Sequence, residues 1–237
     1  MSDDSKHLEV SVWRSDVARY ESYSVPIQDS QTVLDVVSWI QQNASPDLSY
    51  RYACRVGMCG SCAMMVNGEP RWTCRTHVNK VLKNNKMEIA PLRNLPVVKD
   101  LVTDMDPFFD KWVEAKSVFQ STKTRHDEME PILPDSPKRL AASDAIECIN
   151  CAVCYAACDV VAANPDYLGP AALNRAWSLV NDVRDGGYEA RMEAISGGGG
   201  CHNCHSQSSC AQYCPNELNP TASIAGLKRE TAKGWLR

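Results

Sequence analysis

No apolar run in the 237-residue chain approaches the roughly 18 residues that would read as a membrane span. The amino-terminal MSDDSKHLEV lacks a basic region followed by an apolar one, so a secretory leader is not expected. Charge of one sign is lacking as well. With 25 basic and 29 acidic side chains and a net charge of -4, the chain has no electrostatic footprint for nucleic acid, and no nucleic-acid partner is expected. No solenoid-type repeat is visible. A hydrophobic share of 44% against 23% charged describes a folded protein, and the length suits two modest domains. What the sequence has in excess is cysteine, 12 residues of it. Without a leader these thiols are expected to face a reducing compartment, where clustered cysteines ligate metal more often than they form disulfides.

The cysteines fall into three groups: Cys54, Cys59, Cys62 and Cys74; Cys148, Cys151, Cys154 and Cys158; Cys201, Cys204, Cys210 and Cys214. The long interval between the first two groups includes a polar stretch from Ser121 to Arg139, where Pro131, Pro134 and Pro137 oppose regular helix. A domain boundary is placed upstream of it, near Met105, because a helical pattern starts at Pro107.

Before that boundary the pattern is mixed. Leu8, Val10 and Val12 alternate with polar residues as a half-buried strand does, and Tyr20 to Ile27 repeats the alternation as an antiparallel partner. Val33, Val36, Val37 and Ile40 follow helical spacing, with Thr32 as the cap. Ala63 to Val66 and Glu69 to Thr73 flank Asn67-Gly68, a two-residue hairpin signal, and Lys86 to Ala90 forms a last strand. This is the element order of a β-grasp ferredoxin domain. After the boundary strand signals nearly vanish. Helices are expected over Pro107–Phe119, Pro170–Val183, Tyr188–Ile195 and Pro220–Lys233. Gly197 to Gly200 read as a plain linker. The expected fold class is α+β: a plant-type ferredoxin domain over residues 1–105, then an all-α, bacterial-ferredoxin-like domain over residues 106–237.

RYACRVGMCGSC followed by WTC gives C-x4-C-x2-C with a fourth thiol after the hairpin, the plant-type [2Fe–2S] spacing. Four thiolates must converge on two irons, and Gly57 and Gly60 let the backbone fold closely around the inorganic core. The alternative is a structural zinc, which usually brings two C-x2-C pairs where this segment has one. ECINCAVCYAAC gives C-x2-C-x2-C-x3-C, the bacterial ferredoxin run, whose fourth cysteine serves the other cluster in two-cluster ferredoxins. Laid against the same run, Cys204 and Cys210 take the first and third positions, Cys214-Pro215 the crossing fourth, and Gln207 the second. The spacing thus assigns Cys148, Cys151, Cys154 and Cys214 to a [4Fe–4S] cluster. Cys158, Cys204 and Cys210 are one thiolate short and suit [3Fe–4S]. Cys201 is left over and is expected to be a buried thiol behaving as a small hydrophobe.

In this order the three groups resemble the iron–sulfur subunit of succinate dehydrogenase and fumarate reductase. The resemblance covers essentially the whole chain, through PDLSYRYACRVGMCGSC, CINCAVCYAAC, NPDYLGPAAL, DVRDGG and CPNELNP, and PDLSY with NPDYLGPAA leans toward the fumarate reductase branch. It implies a flavoprotein partner with covalent FAD, a membrane anchor and a quinone, and a location peripheral to the cytoplasmic side of a membrane. It further implies single-electron relay between flavin and quinone, with no catalytic residue on this chain. Lys228 matches a lysine near the quinone in the fumarate reductase branch, where a cation would stabilise a reduced anionic quinone or help deliver protons. His205 matches a histidine near the quinone in the dehydrogenase branch. Two positions depart from the pattern: Asp159 stands where proline usually follows the cysteine, and Ala163 where the dehydrogenase branch has tryptophan.

Trp72, Trp177 and Trp235 are read as packing residues, and Met58, Met64 and Met65 as core or interface filler. Two other functions fit the cysteine count. One is an electron-transfer subunit of another flavin-linked reductase with a thiol or heterodisulfide partner, which the spare Cys201 would serve. The other is a zinc-stapled structural module.

Overall fold

The computed structural model describes residues 7–235, which divide into two compact units. The first comprises the residues up to Met105 together with Cys151–Ala156, and the second the remainder.

Alternation of apolar and polar residues builds the first unit's sheet. Strands β1 (His7–Arg14) and β2 (Arg19–Pro26) pair antiparallel over their full length, with Leu8, Val10, Val12 and Val25 turned into the core. Helix α1 (Val33–Asn43) packs Val33, Val36, Val37 and Ile40 against them. Thr32 opens it with a reciprocal cap: its hydroxyl accepts from the Asp35 N–H at 3.2 Å, and its own N–H donates to the Asp35 carboxylate at 3.0 Å. Strands β3 (Ala63–Val66) and β4 (Glu69–Trp72) join through Asn67 and Gly68, both at positive φ, as a tight hairpin requires. Strand β5 (Lys86–Ala90) lies between β1 and β3, parallel to one and antiparallel to the other, giving the order β2-β1-β5-β3-β4.

A second, two-stranded sheet of β6 (Val97–Lys99) and β7 (Val102–Thr103) follows, which the alternation did not announce because each strand is so short. It turns at Asp100, whose buried carboxylate accepts from the N–H groups of Ser15 and Ser49 and from Arg14 Nε.

In the second unit helices carry the structure. Helix α2 (Asp106–Glu114) ends sooner than expected. Lys116 at φ 52° stops it in a Schellman turn, with Ser117 N–H donating to Trp112 O and Lys116 N–H to Val113 O. Helix α3 (Pro137–Ile146) was not expected, because Pro137 was read as a breaker. Pro137 is instead the first helical residue, where its missing N–H costs nothing, and Ser136 caps the helix. Short helices α4 (Val153–Ala156, in the first unit) and α5 (Asp159–Ala163) lie within or directly after the second cysteine group. Helices α6 (Gly169–Val180) and α7 (Tyr188–Ser196) are followed by a 3₁₀ turn at Cys201–Asn203, then α8 (Ser209–Gln212) and α9 (Pro220–Trp235).

Gly197 to Gly200 are not a linker. A side chain on Gly199 would meet Asp166 O at 1.9 Å and one on Gly200 Ile195 O at 1.9 Å, while Leu168 N–H donates to Gly199 O. Close backbone approach, which only glycine permits, explains Gly199 and Gly200. Trp72 is buried, and Trp177 packs its ring on Gly226 while its indole N–H donates to Ala141 O. The Trp235 side chain lies outside the described residues. Met64 and Met65 are buried, whereas Met58 is 70% exposed and belongs to no core.

Candidate iron–sulfur sites

The first cysteine group is a loop shaped around its thiols. Arg55, Gly57 and Gly60 all take positive φ, which turns successive N–H groups to one side. Val56 N–H donates to Cys54 Sγ at 3.4 Å, Met58 N–H to the same sulfur at 3.2 Å, and Cys54 N–H to Cys59 Sγ at 3.5 Å. The Val56 and Met58 donors, Val56 first, bring the Cys54 thiol down to about 6, favouring the thiolate that ligates metal. Cys74 behaves oppositely. Burial, then the Cys62 sulfur beside it, pushes its thiol up to about 12. Two sulfurs this close repel as thiolates, and a cation shared between them removes that cost. The hairpin delivers Cys74: Thr73 donates through its N–H and its hydroxyl to Cys62 O, at 3.3 and 2.7 Å.

Gly60 serves a second purpose. A Cβ there would meet the Cys151 Cβ at 2.5 Å, so the loop of the first group lies directly on a residue of the second. Arg93 donates to Ala156 O and Asn94 to Tyr155 O, holding α4 and with it Cys154 on the first unit.

Within the second unit, Cys148 and Cys214 are electrostatic neighbours. Burial raises the Cys148 thiol, the Cys214 sulfur adds to the rise, and Arg175 opposes it. Asn216 Nδ2 donates to Glu147 O at 2.9 Å, tying the turn after Cys214 to the residue before Cys148.

Cys158, Cys204 and Cys210 line one small cavity, with Gln207 and His205 at its lip and Tyr167, Thr221 and Ile224 behind. The Cys158 thiol takes N–H groups of Val161 and Val160, Cys204 Sγ that of Ser206 at 3.4 Å, and Cys210 Sγ lies 3.3 Å from the Thr221 hydroxyl. Burial raises Cys158 and Cys210, each further raised by the Cys204 sulfur. Three thiols lining one cavity, Cys210 buried and Cys158 and Cys204 half-buried, each with a hydrogen-bond partner, is a donor set that fits a sulfide-bridged cluster. Tyr167 and Thr221 carry no spacing signal and were not singled out from the sequence.

Lys228 Nζ donates to Cys204 O at 2.6 Å, so this cation sits on the backbone of a thiol-bearing residue of the cavity. His205 is exposed beside it. Asp159 opens α5, and Ala163 is exposed at its end. Cys201 is fully buried, its thiol raised by burial and hydrogen-bonded with Thr231.

Two family models match the chain: a 2Fe-2S iron-sulfur cluster binding domain over residues 8–110, and a 4Fe-4S dicluster domain over residues 147–219. The class is thus an iron–sulfur protein with a [2Fe–2S] domain followed by a [4Fe–4S]-type domain. The fumarate reductase iron-sulfur subunit of Escherichia coli O6:H1 is 34% identical, across 98% of this chain and 96% of the relative. That of Mycobacterium tuberculosis is 34% identical, across 97% and 94%. A chain of the Mycobacterium smegmatis Sdh1 complex in the apo form superposes with a TM-score of 0.86 at 26% identity, covering 98% of both chains. The chain belongs to the family of fumarate reductase and succinate dehydrogenase iron–sulfur subunits.

Proposed function

We propose that the chain is the electron-transfer subunit of a succinate:quinone oxidoreductase, relaying single electrons between the FAD of a flavoprotein subunit and a membrane quinone. Cys54, Cys59, Cys62 and Cys74 hold [2Fe–2S]; Cys148, Cys151, Cys154 and Cys214 hold [4Fe–4S]; Cys158, Cys204 and Cys210 hold [3Fe–4S]. The observation that carries the reading is the crossed placement in the second unit: Asn216, two residues after Cys214, bonds to Glu147, next to Cys148, and Cys158 lines one cavity with Cys204 and Cys210. A two-cluster ferredoxin core needs this exchange of fourth cysteines. A chain folded around separate zinc sites does not.

When bound, the clusters supply one-electron acceptors that divide the two electrons of succinate oxidation into single transfers. The chain's own residues hold thiolates in place, direct N–H and O–H groups at the sulfurs, and exclude water from Cys62, Cys74, Cys154 and Cys210, all buried. No acid or base that would act on a dicarboxylate is assigned to this chain. Lys228 and His205, beside Cys204, mark the side from which a quinone collects electrons, with Lys228 placed to offset negative charge on a reduced quinone.

The five-stranded sheet with α1 supports a β-grasp reading for residues 1–105, and the helices after Asp106 a bacterial-ferredoxin-like reading for residues 106–237. No described helix is long and apolar enough to cross a membrane, so attachment to one would run through an anchor subunit. A thiol or heterodisulfide partner is disfavoured, because the spare Cys201 is fully buried and out of its reach. Purification of the native complex tests the assignment: a flavoprotein with covalent flavin and a membrane anchor should accompany the chain, and succinate should reduce its clusters. A cysteine-rich partner without an anchor would contradict it.

A further inference from the structure

Tyr167 occupies an unusual position for a packing residue. It is 1% exposed and sits in the turn before α6, where Tyr167 N–H donates to Asn164 O and Leu168 N–H to Gly199 O. Its side chain lines the cavity of Cys158, Cys204 and Cys210. Burying a phenol O–H is costly unless it finds a partner, and a phenyl ring would fill the same space without that cost. The partner here is sulfur. The phenol shares this small cavity with the Cys204, Cys158 and Cys210 sulfurs, Cys204 being its strongest electrostatic partner, and a phenol O–H is a donor to sulfur. Of the side chains around the cavity, Thr221 is the other hydroxyl aimed at a thiol, and it serves Cys210 alone.

We propose that Tyr167 is a positioning residue for the third centre, its hydroxyl donating to Cys204 Sγ or to the cluster sulfide beside it and thereby raising that centre's reduction potential. Reduction adds negative charge to the sulfurs, so a fixed O–H donor stabilises the reduced form more than the oxidised form. The turn that carries Tyr167 is clamped by Gly199, which packs on Asp166 and accepts from Leu168 N–H, so the hydroxyl need not reorganise when the electron arrives. The inference rests on the proposed [3Fe–4S] assignment.

Potentiometric titration of the purified native complex, read by electron paramagnetic resonance, tests it. In Tyr167→Phe the [3Fe–4S] centre should become about tenfold harder to reduce, about 59 mV downward for one electron, with the other two centres unmoved. A merely structural role would lower the amount of cluster and leave its potential in place. If Tyr167→Phe shows an unchanged [3Fe–4S] potential, the inference falls while the cluster assignment stands. If the oxidised wild type shows no [3Fe–4S] signal, both fall. Should Tyr167→Phe fail to assemble, 3-fluorotyrosine incorporated into the wild-type chain supplies a stronger donor at the same place. The potential should then rise, and a potential that stays put would overturn the proposal.

Discussion

Gln207 stands where the bacterial run would place its second thiolate, and it lines the cavity of Cys158, Cys204 and Cys210. Replacing it with cysteine offers a fourth anionic ligand there. Gln207→Cys should convert the third centre toward [4Fe–4S], with a lower potential and slower electron delivery to quinone. The [3Fe–4S] resonance of the oxidised protein would shrink accordingly; if Cys201→Ser rather than Gln207→Cys alters the cluster type, the ligand set is wrong. A second residue-scale test concerns Arg191 and Asp185, whose side chains are fully buried and bonded at 2.7 Å. Arg191 Nε also donates to Lys116 O, and the Asp185 carboxylate accepts from Gln120 and Gly187 N–H. The pair fastens the chain after α2 to the DVRDGG segment. Asp185→Ala strands a buried cation and should cost about 3–5 kcal/mol, whereas removing both partners together should cost less. Thermal loss of cluster absorbance would show the ordering, and equal losses would contradict it.

Helices α6 and α9 meet where Gly226 faces the Trp177 ring, and a Cβ on that glycine would lie 2.6 Å from ring carbons. Gly226→Ala should therefore destabilise this packing by about 1–3 kcal/mol through overpacking, despite alanine's better helix propensity. A gain in stability would show that the ring can move aside. Elements of this size were the ones the sequence made visible. Thr32 with the spacing of Val33 to Ile40 announced α1, and Asn67-Gly68 announced the β3–β4 turn, because local backbone chemistry alone specifies both. Helix α3 stayed hidden because proline breaks a helix interior yet suits its first turn, and only the position of the Ser136 cap separates the two cases. The turn formed by Gly197 to Gly200 stayed hidden for another reason. Its Gly199 answers to Asp166, a contact that no local window contains.

Across the whole molecule, cysteine spacing carries the functional reading, since ligand count and order are chemical requirements written directly into the chain. The hydroxyls of Tyr167 and Thr221 were not legible there, because they reach the sulfurs only through the fold. Nor was the placement of Cys151–Ala156 with the first unit, which Arg93 and Asn94 secure by holding the α4 carbonyls. The proposal assigns eleven of the twelve cysteines to three centres of different nuclearity, and that partition is its central claim. Iron analysis combined with electron paramagnetic resonance of the native complex across a redox titration measures it most directly. The account predicts about nine irons per chain and three separable signals, one being a [3Fe–4S] signal present when oxidised. Stoichiometric zinc with little iron, or only two signals with no [3Fe–4S] component, would contradict it.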